Sequence, residues 1–125
     1  MIYDTDILIW IQRGNGKAAG LIDKDDDKYI SIQSYMELLQ GAKNKVQHRY
    51  VKDFIADFCF AVLPLSENIG HRALIYVEEY ALSSSMQSGD AIISATAVEN
   101  NMTLVSSNAK HFRVVKELQF KAFKP

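Results

Sequence analysis

Short apolar runs that each lead into an acidic or amide residue set the first constraint on this chain. Asp4 closes Met1-Ile2-Tyr3, and Glu37 opens the helix that follows Tyr29-Ile30-Ser31-Ile32. Asp90 opens a helix of small residues, and Asn108 ends Thr103-Leu104-Val105-Ser106. Short apolar strands alternating with helical periodicity indicate right-handed βαβ units and a parallel sheet covered on both faces. The expected fold is α/β, three layers in the order α/β/α, around a parallel sheet of about five short strands.

In such a sheet the strand-to-helix junctions converge on one rim, outside the carboxyl ends of the strands, where ligands bind. Three carboxylates gathered there repel one another unless a cation neutralises them. Oxygen donors of this kind suit a hard divalent ion, Mg²⁺ or Mn²⁺. Each residue also has a local reading. Asp4, or Asp6 beside it, can cap the turn that follows. Ser34-Tyr35-Met36-Glu37 fits a capping box, with Glu37 bonding back to the start of its own helix. Asp90, after Gly89, can be an N-cap or a first-turn acid favoured by the helix dipole. Asn108 can be a turn former. Caps do not readily explain the joint placement of four such residues at junctions between elements.

The elements follow from periodicity and punctuation. Ile2-Tyr3 is a short strand, Ile7 to Ile11 starts a helix or tight turn, and Gly14-Asn15-Gly16 breaks it. Residues 17–23 are weakly helical, and Asp23 to Lys28 is a charged loop without the glycine or terminal glutamate of a calcium loop. Tyr29 to Ile32 is the second strand. Helical spacing marks Ser34 to Ala42 and Asn44 to Phe58. Ala61 to Leu63 is the third strand, stopped by Pro64, and Ser66 caps a helix to Ala81. Ser83-Ser84-Ser85 is a loop, Asp90 to Asn100 a helix, Leu104 to Ser106 the fourth strand and Phe120 to Phe123 the fifth.

With 125 residues and no linker or repeat, the expectation is one domain over residues 1–125. A net charge of −1 excludes coating of nucleic acid by bulk electrostatics, but not a nuclease whose site needs local negative charge. No apolar run is long enough to cross a membrane, and the N-terminus lacks the basic region of a secretory signal. The single cysteine, Cys59, lies in an apolar run and is expected to be a buried, reduced thiol, which makes the cytoplasm the expected compartment. His48, His71 and His111 lack metal-ligand spacing, so no zinc site is expected. Trp10, Tyr50, Tyr76 and Tyr80 are expected in the core or at an interface with a partner. There is no glycine-rich phosphate loop and no nucleophile elbow.

Four segments together carry a family resemblance. Ile2 to Ile9, with Asp4-Thr5-Asp6, resembles the opening strand of PIN-domain nucleases. Ser31 to Ala42, with Glu37-Leu38 and Gly41-Ala42, resembles their second motif, and Gly89 to Ala97 the third. Leu104 to Phe112 is similar to the fourth, with Ser106 for the usual threonine and Asn108 where many members carry aspartate. The length points to the VapC-type toxins of toxin–antitoxin pairs. The resemblance implies a Mg²⁺- or Mn²⁺-dependent endoribonuclease that hydrolyses RNA phosphodiester bonds with a metal-activated water. It implies a homodimer neutralised by a small antitoxin protein. Asp4, Glu37 and Asp90 then serve as catalytic residues and metal ligands, supported by Thr5, Asp6, Ser106 and Asn108. Arg13, Lys17, Lys43, Lys45, Arg49, Lys110 and Arg113 are the basic residues available to guide RNA.

Two other functions compete. A phosphate-receiving regulator domain needs an aspartate at the end of the third strand, where Leu63-Pro64-Leu65 stands. A catalytically impaired PIN-like binding module is the alternative that Asn108 leaves open.

Overall fold

In the computed structural model, which describes residues 1–125, the strands are β1 (Ile2–Tyr3), β2 (Tyr29–Ser31), β3 (Ala61–Leu63), β4 (Leu104–Ser106) and β5 (Phe120–Ala122). They form one parallel sheet in the order β3-β2-β1-β4-β5. The helices are α1 (Thr5–Gln12), α2 (Gly16–Asp23), α3 (Ile32–Gly41), α4 (Lys45–Asp57), α5 (Glu67–Ser84), α6 (Ser88–Glu99) and α7 (Ala109–Phe112). The chain steps outward from β1 through β2 to β3, then crosses back to build β4 and β5 on the other side. Strand order therefore reverses at β1, and a crevice at such a reversal is where open α/β sheets bind ligands.

Alternation along the strands divides the core in two. Ile2 and Leu104 face one side, packed with Ile69, Ala73, Tyr76, Ile93 and Phe112 from α5, α6 and α7. Tyr3 and Val105 face the other, packed with Ile7, Leu8, Ile22, Leu38, Val51 and Phe54 from α1 to α4. In register, Ile2 lies opposite both Tyr29 and Leu104, and Tyr3 opposite Val105. The three-layer α/β/α architecture expected from the sequence is thus present.

Several local expectations are corrected. β2 stops at Ser31, and Ile32 already belongs to α3, because Ser31 is the N-cap and accepts from the Ser34 amide at 3.0 Å. α5 continues to Ser84, so the predicted serine loop is mostly helix, ended by Ser85 in a left-handed conformation (φ 56°). α6 begins at Ser88, which puts Asp90 inside its first turn. Cys59 is exposed rather than buried: it takes a left-handed turn (φ 58°) after α4, and that turn directs it outward while Phe60 is buried. Of the aromatic residues expected in the core or at an interface, Tyr76 is in the core and Tyr50 is exposed on α4. Asp23 still belongs to α2, and the loop after it is anchored through Asp25, which accepts from the Met1 ammonium at 2.9 Å and the Tyr3 hydroxyl at 2.7 Å.

Candidate active site

Asp4 follows the central strand directly, at the N-terminus of α1. Its extended backbone (φ −68°, ψ 157°) makes it the N-cap, and Oδ1 accepts from the Thr5 amide at 2.8 Å. Oδ2 accepts from the Ser106 hydroxyl at 2.7 Å, across the gap between β1 and β4. Capping and site roles therefore coexist, since each carboxylate oxygen keeps further acceptor capacity. Asp4 is buried, at 7% exposure. Burial, then the neighbouring charge of Asp6, pushes its carboxyl up to about 7; the bonds from Ser106 and Thr5 pull the other way, and Asp90 adds a further upward push.

Asp6 lies in the first turn of α1. Its Oδ2 accepts from the backbone N–H of Ser107 at 2.9 Å and from the Ser107 hydroxyl. Its Oδ1 is buried with no hydrogen-bond partner. Such an orphaned carboxylate oxygen beside a crowded, buried aspartate is a local excess of negative charge that the protein itself does not compensate.

Glu37 does not form the predicted capping box. With Ser31 as the cap, Glu37 sits in the middle of α3 and reaches across the rim, where Oε1 accepts from the Thr5 hydroxyl at 2.5 Å and Oε2 from Gln33 Nε2 at 3.0 Å. α6 approaches this carboxylate so closely that a β-carbon on Gly89 would fall 2.7 Å from Glu37 Oε2. The approach is permitted by small buried residues on α6, Ala91, Ser94, Ala95 and Ala97.

Asp90 does take part in a capping box, accepting from the Gln87 backbone N–H at 3.3 Å. The same oxygen, Oδ2, lies 3.0 Å from His111 Nδ1. Asn108 precedes α7 without capping it through its side chain; its amide lies 3.0 Å from the same His111 nitrogen, and its backbone N–H donates to Ser106 Oγ at 3.0 Å.

The structure therefore brings together Asp4, Thr5, Asp6, Glu37, Asp90, Ser106 and Asn108 at the carboxyl edge of the sheet. Sequence reasoning missed His111, Gly89, Gln33 and Ser107. His111 stands three residues after Asn108, a helical spacing that could have flagged it. Among the basic residues proposed for RNA, Lys43, Lys45 and Arg49 are exposed at the start of α4. A groove of about 300 Å³ runs beside Glu37, walled by Ile9, Leu38, Tyr50 and Val51 among others.

The donor set is all oxygen, its charges crowd one another, and one buried carboxylate oxygen is unpartnered, so the residues fit a hard divalent cation. No three His, Cys, Asp or Glu side chains converge tightly enough to enclose an ion by themselves. Mg²⁺ keeps several of its waters and needs only one or two carboxylates in direct contact.

Comparison with known proteins identifies the family of the fold. A family model for the PIN domain matches residues 1–118. The chain is 31% identical over 123 residues to Ribonuclease VapC10 of Mycobacterium tuberculosis (strain CDC 1551 / Oshkosh), covering 95% of this chain and 90% of that protein. It superposes on a toxin-antitoxin complex from Klebsiella pneumoniae with a TM-score of 0.78 at 26% identity, over 94% of this chain and 93% of that one. The fold is also that of VapBC2 from Rickettsia felis, solved bound to a DNA fragment from its promoter (TM-score 0.81, 22% identity, 99% and 100% coverage). The chain belongs to the PIN-domain family.

Proposed function

We propose that this protein is a metal-dependent endoribonuclease and the toxin of a toxin–antitoxin pair. The observation that carries the reading is the convergence of Asp4, Asp6, Glu37 and Asp90 on one rim, each tied to a neighbour by a polar contact. Identity to a protein named as a ribonuclease supports it.

Asp4, Glu37 and Asp90 would hold Mg²⁺ or Mn²⁺. When bound, the ion supplies Lewis-acid polarisation of the scissile phosphate and activation of water. The chain's own residues set the stage for that chemistry. Ser106 and Thr5 fix the rotamers of Asp4 and Glu37, so these carboxylates need not reorganise when a charged substrate arrives. Asp6 is held by Ser107 with one oxygen facing inward, which adds negative potential without spending a contact on the substrate.

RNA is the proposed substrate and a cognate antitoxin the proposed partner. The groove beside Glu37, with its apolar walls, suits a segment of that antitoxin. A homodimer would bury the exposed Leu74, Ile75 and Leu82 of α5. No helix is long and apolar enough to cross a membrane, in keeping with the proposed cytoplasmic site of action.

Purified protein incubated with RNA in Mg²⁺, Mn²⁺ or EDTA tests the reading, beside an Asp4→Ala, Asp90→Ala double variant. Cleavage that needs the metal and disappears in the variant is expected. Cleavage that persists in EDTA, or in the variant, overturns it.

A further inference from the structure

A network absent from the sequence expectations links two of the acids. Asp4 Oδ2 accepts from Ser106 Oγ, which in turn accepts from the Asn108 backbone N–H. The Asn108 side chain contacts His111 Nδ1, and His111 Nδ1 contacts Asp90 Oδ2. A carboxylate oxygen only accepts, so His111 Nδ1 carries the proton and donates it to Asp90. The Asn108 Nδ2 lies 3.0 Å from that same nitrogen, which then has no lone pair to accept from it; turning the amide by 180° lets Oδ1 share the proton and brace the plane of the imidazole. The remaining ring nitrogen, Nε2, has no partner within the protein.

The arrangement divides the labour of the Asp90 carboxylate. Oδ2 is occupied twice, by the Gln87 backbone N–H at 3.3 Å and by His111 at 3.0 Å, whereas Oδ1 accepts nothing from the protein. A carboxylate gripped by one oxygen presents the other in a fixed direction. Hydrogen bonds to ligating carboxylates from a surrounding shell set ligand orientation, and their loss typically weakens metal binding by about 10–100-fold.

We propose that His111 is the positioning residue of Asp90, and that Asn108 acts through His111 and not as a metal ligand. The inference rests on the reading of Asp90 as a metal-holding residue. It also gives Asn108 a use that an aspartate would serve badly. Aspartate there would add a fifth carboxylate to a rim where Asp4 is already pushed up by its neighbours. The neutral amide braces the imidazole without that repulsion.

The test is Mn²⁺ titration of RNA-free protein by calorimetry, run with RNA cleavage kinetics on the same preparations. His111→Ala should weaken Mn²⁺ binding about tenfold and lower kcat, with KM for RNA and the melting temperature little changed. His111→Gln keeps a donor and should recover part of the loss. Asn108→Ala should give a smaller defect, and the double variant should be no worse than His111→Ala alone, because both residues act on one carboxylate in series. Additive losses in the double variant would make Asn108 an independent ligand and overturn the proposal. So would wild-type affinity in a folded His111→Ala or His111→Gln protein. Wild-type protein that cleaves RNA and binds Mn²⁺ beside an unaffected His111 variant sinks this inference alone. Wild-type protein that binds no Mn²⁺ sinks the metal-site reading together with it.

Discussion

Gly89 and Glu37 touch across the mouth of the site: a β-carbon at Gly89 would lie 2.7 Å from Glu37 Oε2 and 3.2 Å from Gln33 Nε2. Both obstacles are the far ends of flexible side chains, so they can move aside at small cost to the fold. What moves, however, is the carboxylate itself. Gly89→Ala should reduce RNA cleavage about tenfold or more, in line with the sensitivity of reactions to misplacement by an ångström, with a shift of only a few degrees in melting temperature. Cleavage assays and calorimetry on the same variant check it, and full activity would show that Glu37 is not tightly placed.

Ser106 is fully buried and donates to Asp4 Oδ2 at 2.7 Å. Ser106→Ala leaves a buried carboxylate oxygen with no donor and removes the acceptor of the Asn108 N–H. The expected loss is about 1–3 kcal/mol of stability, read from the urea midpoint in EDTA. Ser106→Thr keeps the hydroxyl and should retain most of it.

Asp4 stands against burial and the charges of Asp6 and Asp90. Asp4→Asn removes a charge from this crowd while an amide oxygen can still cap α1. In EDTA at neutral pH the variant should melt higher than the parent protein, and its RNA cleavage should fall by at least about 100-fold. Stability gained where activity is lost is the signature of a strained functional site.

Far from the site, Arg72 on α5 bridges Glu99 at 2.5 Å and Glu117 at 2.6 Å, and the Tyr76 hydroxyl donates to the same Glu117 carboxylate. The Tyr76 bond above all, helped by Arg72, holds the Glu117 carboxyl below the ordinary range against the opposing effect of burial. A carboxyl lowered in the folded state contributes stability that is present above its unfolded pKa and is lost as pH falls through the folded value. Tyr76→Phe should therefore cost about 0.5 kcal/mol near neutral pH, the low end for such a bond because Glu117 is half exposed and screened. The gap between variant and parent should narrow below about pH 4, as followed by chemical denaturation across pH.

The sheet was legible because its strands are short apolar runs, read to within a residue of their ends, and Asp4 because it closes the first of them. Glu37 was harder. Ser34 precedes it by the three residues of a capping box, and only the extended backbone of Ser31 in β2 shows that the helix starts one turn earlier. Asp90 was visible as an acid at a helix start, but its bond to His111 joins α6 to α7 and has no local signature. The same holds for Gly89, whose need for a missing side chain is set by α3, far away in sequence. Cys59 was misplaced because an apolar neighbourhood conceals a left-handed turn, and a turn of that hand overrides the run in which it sits. Contacts made within a few residues could be read from the chain; contacts made across the rim could not.

The strand order carries one further consequence, for synthesis. β1 is the middle strand, yet its partner on one side, β4, is translated some hundred residues later: the Asp4–Ser106 bond spans 102 positions. As the chain leaves the ribosome, residues 1–63 can pair β1, β2 and β3, leaving one flank of β1 open. Ser106 and His111 follow Asp4 by about a hundred residues, so a chain cut off at residue 103 should leave RNA intact. The acids of the rim become a braced site only when a strand about a hundred residues away has joined the sheet.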